Sequence, residues 1–345
     1  MRGAGTRSVT AGVIALTLTA AILILSGCVD VPMPVPSPAY TSTYVAPPPT
    51  TLTPLTGEVI PADTVLGPSL AAKVDNLAAA RPQVGLEHTD LVFEELVEGG
   101  LTRYVAVWQS DVPAKIGPIR SIRPMDPDII SPLGGIVAYS GGQQRFVDEM
   151  KDTNVYNAIH GQPDTADVMF RTDSKPAPHN VIVRAPQLIA KHPDIAPPGQ
   201  QFSFAPDAAA STAAVDGDPT SKISMRFGAP STPSWKYDTA SGRYLRSQAG
   251  APDLDGSGDR LSAANVIVVR VPIGIEGGVP KTELIGSGDA WISSGGSTVH
   301  ATWSKSSRRG LLRLVDDTGT VIRLAPGNSW IELVPLSGEV SFTAP

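Results

Sequence analysis

The sequence predicts an α+β chain, an N-terminal mixed α/β domain followed by a smaller, mostly antiparallel β domain. Three observations carry this. Strand-like and helix-like segments alternate between residues 55 and 194, residues 195–222 offer little to bury, and short apolar runs recur between turn signals from 223 to 345. Hydrophobic residues make up 41% of the 345, enough for the core of one large or two medium domains.

The first element is an address. Arg2 and Arg7 open the chain, an uncharged apolar run follows from Ala11 to Leu25, and Leu25-Ser26-Gly27-Cys28 closes it. This is the layout of an export signal, a positive end, an apolar stretch and a small-residue cleavage site. The apolar run falls short of the ~20 residues that span a bilayer. Leu-Ser-Gly-Cys resembles the lipobox of bacterial lipoproteins, which implies removal of residues 1–27 and acylation of Cys28, with palmitate among the acyl chains. The expected partner is therefore the lipid bilayer, and the expected location is the outer face of the cell membrane. Because Cys28 is the only cysteine, its acylation leaves no disulfide, thiolate nucleophile or cysteine-ligated zinc to the body.

Residues 28–54 read as a Pro/Thr-rich tether, extended and semi-rigid, with Pro47-Pro48-Pro49 near its end. Between 55 and 194, Ala71–Val74, Leu101–Trp108 and Ile136–Tyr139 read as strands, whereas 143–151 and 186–191 read as short helices. Residues 89–98 suit either a helix face or a strand. In the linker or long loop at 195–222, Pro197-Pro198-Gly199 and Asp216-Gly217-Asp218-Pro219 break the pattern. Strands are then predicted over 223–227, 234–237, 243–246, 265–271, 299–303, 311–315, 321–324 and 329–334.

Several motifs, in order, resemble the YerB-like lipoprotein family, two-domain envelope proteins of unknown function. They are Asp75-Asn76, the run Ala80-Arg81-Pro82-Gln83-Val84-Gly85-Leu86, Val97 through Arg103, Ile116 through Arg123, and Ala177-Pro178-His179-Asn180. Asn265 through Val269 and Pro326 through Pro335 extend the resemblance to the second domain. The resemblance implies the architecture and the envelope location and brings no activity.

The site is therefore argued from residues. Arg103, Arg120 and Arg123 present planar forks suited to a carboxylate or phosphate. Gly99-Gly100 and Gly117 would let backbone N–H groups approach a ligand. Asp75, Asn76, Arg81, Glu98, Ser121, His179 and Asn180 complete the candidate ligand-binding set. The competing reading is that the arginines pair with Glu94, Glu95 and Glu98 and only lock loops. For catalysis, Glu94, Glu98 and His179 are the plausible proton carriers and Ser121 or Ser140 the hydroxyls, without a nucleophile-elbow pattern. No catalytic residue is assigned.

Asp253-Leu254-Asp255-Gly256 follows the first half of a calcium loop, but position twelve is Ala264, so a turn between strands is the plainer reading. The five histidines lack zinc-ligand spacing, and no metal or cofactor is expected. A net charge of −6 argues against nucleic acid. The reading is a membrane-anchored lipoprotein that binds an anionic cell-wall component or a membrane-protein partner. A cell-wall hydrolase or transferase and a purely structural scaffold are the alternatives.

Overall fold

Strands buried on both faces explain why alternation is hard to read in this chain. Leu70–Asp75 (β1) and Thr102–Trp108 (β3) have no exposed position, and Leu91–Leu96 (β2) is buried apart from its half-buried last residue. In the computed structural model, which describes residues 45–345, these strands form the middle of an eleven-stranded sheet. The export signal, Cys28 and most of the proline-rich stretch lie outside the described residues.

The other strands of this sheet, in chain order, are Ile136–Tyr139 (β4), Tyr156–Ile159 (β5), Asp218–Pro219 (β6), Asn265–Val271 (β7), Gly286–Ser294 (β8), Ser297–Lys305 (β9), Arg313–Val315 (β10) and Ser329–Pro335 (β11). Across the sheet they run β6-β9-β8-β7-β11-β2-β3-β1-β4-β5, with β10 beside β9. Strand β11 lies parallel to β7 on one side, Asn265 opposite Ser329, and parallel to β2 on the other, Ser329 opposite Leu91. Strands β2, β3 and β1 are antiparallel, and β1, β4 and β5 are parallel.

Odd and even positions of the middle strands feed two cores. Ala71, Phe93, Val105, Ile267 and Ile331 face one core, closed by Met125 and Ile129 and by Phe146 and Met150 of the helix Gln144–Lys151. Ala72, Val92, Ala106, Val266 and Trp330 face the other. A second, six-stranded sheet covers this side through Ile223, Met225, Trp235 and Tyr244. Four of the five tryptophans are buried at 0–1% exposure, so they serve as packing.

The body is mostly β. Its helices are short: Asp126–Ile130, Gln144–Lys151, Ala185–Ala190 and Thr212–Asp216. Several expectations need amending. Within the ambiguous stretch 89–98, Leu91–Leu96 is strand, because β2 sits between two partners. The tether ends sooner than residue 54, since Thr50–Leu52 already pairs with Val59–Pro61 and Leu55 is fully buried. The stretch 195–222 contains the helix Thr212–Asp216 and β6, which pairs with β9. Finally, Pro48–Pro345 is one compact unit, because β11 joins strands from both halves. No helix among the described residues is long and apolar enough to cross a membrane.

Candidate functional site

The carboxyl end of β1 positions the site. Asp75 is its last residue and stands opposite Arg103 of β3, which stands opposite Glu95 of β2. The segment Ile116–Arg120 is laced between this end and residues 181–183. Asp75 N donates to Pro118 O at 3.0 Å, Arg120 N to Lys73 O at 2.8 Å and Ile119 N to Val181 O at 2.8 Å. This lacing carries Arg120 on one side and His179-Asn180 on the other to Asp75. Gly117 makes it possible. Its φ is +148°, and a Cβ there would lie 2.7 Å from the Val181 carbonyl oxygen. The turns around the site carry cis peptide bonds at Arg81-Pro82, Gly117-Pro118 and Ala177-Pro178.

The Asp75 carboxylate is shared. Its Oδ1 accepts from Leu77 N at 3.1 Å and its Oδ2 lies 2.6 Å from His179 Nδ1. Arg120 Nε is 3.1 Å from the same Oδ2 but is not aligned to donate to it, so charge rather than a hydrogen bond holds it. Arg123 is engaged bidentately, Nε to Glu98 Oε2 at 2.9 Å and Nη2 to Glu98 Oε1 at 2.7 Å. Arg103 donates to the Ser121 carbonyl at 2.8 Å. Burial, with the positive charges of Arg123 and Arg120, lowers the Arg103 pKa to about 10 against the pull of Asp75 and Glu98. It therefore stays charged at neutral pH. Three guanidiniums thus face two carboxylates, and the adjoining Lys73, Glu95 and Asp126 bring one further cation and two carboxylates, which balance the charge.

Beneath lies a buried ion group that the sequence reading missed. Lys73, fully buried on β1, pairs with Glu95 and, at 2.7 Å, with Asp126. Burial lowers its pKa to about 8, opposed by Asp126 and helped by Arg103 and Arg123. Asp126 also accepts from Arg123 N at 2.6 Å. The Lys73 group thereby fixes the backbone from which Arg123 projects. The available signal was a charged residue inside an otherwise apolar strand.

The opposite face of the same strands holds a second buried group. Arg246 pairs with Glu94 and Asp253 and lies over the Trp330 ring at 4.9 Å. Trp235 Nε1 donates to Glu332 at 2.7 Å. Burial and the neighbouring Glu94 push the Glu332 carboxyl well above its usual range. One guanidinium is set among three carboxyl groups here.

Not all the predicted residues converge. Asp75, Arg103, Arg120, Ser121, Arg123, Glu98 and His179 do. Asn76 turns to the other side, donating to Thr102 Oγ1 at 2.8 Å and Glu94 at 3.3 Å. Asn180 is occupied by Arg171 and the Thr172 carbonyl. Arg81 is half-buried, with an Nε that has no partner among the described residues. The expected Arg–Glu94 and Arg–Glu95 pairs do not involve these arginines, because Arg246 and Lys73 occupy those carboxylates. In the half calcium loop, Asp253 is committed to Arg246, and Asp255 accepts from Leu86 N at 2.8 Å and Ser257 N at 3.2 Å.

The arrangement suits two chemistries. The Arg120 guanidinium, with no aligned hydrogen bond among the described residues, has donors available for an anion. The Asp75–His179 contact fixes the imidazole through Nδ1 and leaves Nε2 for proton transfer.

The fold and site define a mostly-β protein with two polar groups on opposite faces of one sheet. Comparison with known proteins supplies the family. Residues 55–195 match "Protein of unknown function (DUF3048) N-terminal domain", and residues 223–331 match the corresponding C-terminal domain. The chain belongs to this family. It is 24% identical over 272 residues to the Bacillus subtilis (strain 168) protein named "Putative lipoprotein YerB", covering 77% of this chain and 81% of that one. The crystal structure of YerB protein from Bacillus subtilis has the same fold, with a TM-score of 0.73 at 22% identity, over 84% of this chain and 99% of that one.

Proposed function

We propose that this chain is a lipoprotein held on the outer face of the cell membrane through acylated Cys28, where it binds an anionic cell-envelope component at the arginine cluster. The address rests on the lipobox and on the name of the Bacillus subtilis relative. One observation carries the binding reading. The Arg120 guanidinium is held by the charge of Asp75 with its donors unspent, beside Arg103 and Arg123. A carboxylate or phosphate would accept a bidentate pair from those donors. A membrane-protein partner would have to present the same chemistry, an acidic side chain or terminus.

The test is retention of the full chain on purified cell wall, with soluble fragments measured in the same tube. A charged hydrogen bond is worth ~1.5–3 kcal/mol, so Arg120→Ala is expected to weaken retention about tenfold or more, and Arg120→Lys to restore only part. Equal retention of wild type and both variants would remove the wall-ligand reading. Cys28→Ala is expected to lose incorporation of labelled palmitate.

The Asp75–His179 pair favours a second reading, a cell-wall hydrolase or transferase with His179 as proton carrier. Glu98 is a weaker proton carrier than His179, since Arg123 holds it ionised. In that case the wild type would release fragments and His179→Gln would not.

A further inference from the structure

One concavity among the described residues shares no residue with the arginine cluster. It is a groove of about 1030 Å³, at the upper end of the ~300–1,000 Å³ usual for ligand sites. The groove is an opening onto the first hydrophobic core, since Phe202, Leu312, Leu314 and Ile322 belong to that core and also floor it. Its rim is apolar as well. Ile285, Leu311 and Val321 are 48%, 43% and 44% exposed, three large aliphatic side chains left to water around one opening. None of its lining residues is acidic, although the chain as a whole carries a net charge of −6. Two are cationic, Lys305 and Arg313. Arg313 is exposed, whereas Lys305 is buried and donates to the carbonyls of Arg308, at 2.9 Å, and Gly310, which leaves one of its three N–H donors towards the groove.

We infer that this groove binds a single-chain anionic amphiphile, a long-chain fatty carboxylate, with the alkyl chain on the Phe202–Leu312–Ile322 floor and the carboxylate at Lys305 and Arg313. A neutral apolar ligand would leave Arg313 without counter-charge, Lys305 already having that of Asp128 nearby, and a polar anion would leave three aliphatic side chains in water. A carboxylate on an alkyl chain satisfies both. The proposal does not depend on the arginine-cluster reading.

The test is photolabelling of the full chain in its membrane vesicles with a diazirine-bearing palmitate. Label should concentrate on the peptides containing Ile285 and Leu311–Leu314. In Ile285→Asp/Leu311→Asp it should fall about tenfold or more, because a carboxylate against an alkyl chain is left without partners. Val321→Asp, across the opening, is the independent second variant. All three positions are substantially exposed, and Trp303 fluorescence checks that the core beside the groove is unchanged. Arg313→Glu should reduce labelling severalfold, and unlabelled palmitate should compete where hexadecanol does not. Label spread evenly over the body, or unaltered in both aspartate variants, would overturn the proposal. Equal competition by hexadecanol would remove the carboxylate, and cross-linking of the groove to a second copy of the chain would make it a self-association surface instead.

Discussion

Arg246 and Arg120 show how differently one residue type is used in this molecule. Arg246 is fully buried among Glu94, Asp253 and aromatic rings. Removing it leaves buried carboxylates without a cation, so Arg246→Met is expected to cost ~3–5 kcal/mol in urea denaturation. The exposed pair Arg226–Glu339 is the control, where Arg226→Met should cost ~0–1 kcal/mol. Glu98 adds a pH dependence. Burial pushes its carboxyl up, but the Arg123 hydrogen bonds, a backbone hydrogen bond and the charges of Arg123 and Arg103 outweigh this and hold it below its ordinary value. A lowered folded pKa means that the unfolded chain takes up the proton first as pH falls. The stabilisation is thus present above about pH 4.5 and lost as pH drops through the folded value. Glu98→Gln should therefore be less stable than wild type at pH 7, with the difference shrinking as pH falls below about 4.5, as read by urea midpoints. Local sequence could place Arg103, Arg120 and Arg123 near glycines, but not Arg246 beside Glu94, which is 152 residues away. Glu332 inside Ser-Trp-Ile-Glu-Leu-Val was the overlooked sign of that group, since a lone charge in a buried strand demands a partner.

Among the elements, strands bounded by clear turns were legible from local pattern. Ile136–Tyr139 and Asn265–Val271 have the limits their apolar runs predict. Gly286–Ser294 was not legible, because Gly-Ser-Gly-Asp-Ala-Trp-Ile-Ser-Ser has little β propensity of its own. It is a strand because β7 and β9 pair with it on either side. The segment Ile116–Arg120 is the element on which the site depends, and Gly117 tests it. Gly117→Ala should displace the lacing to residues 181–183 and destabilise the protein by more than ~1 kcal/mol. Retention on cell wall should fall along with the thermal midpoint, although residue 117 carries no charge. Normal retention in a folded Gly117→Ala protein would show that the placement of Arg120 does not depend on this lacing.

At the scale of the whole molecule, the pattern change near residue 222 marks a change of sequence style rather than a physical gap. Both cores draw on residues from both halves, as Ile331 beside Phe93 and Trp330 beside Tyr104 illustrate. Unfolding should consequently be one cooperative event. Calorimetry of the full chain is expected to give a single transition, with near-ultraviolet signal and urea midpoint coinciding, and two resolved peaks would mean that the halves melt separately. The place of β11 has a further consequence in time. A ribosome delivers the N-terminal portion first, yet the strand that covers the open edge of β2 is made of residues 329–335. Until those residues emerge, a bare strand edge invites pairing with other chains, and Glu94 lacks its buried counter-ion from residue 246. A chain cut short anywhere before residue 335 would therefore be a sticky product rather than a smaller working one, since residues 329–335 decide whether β2 is ever safe in water.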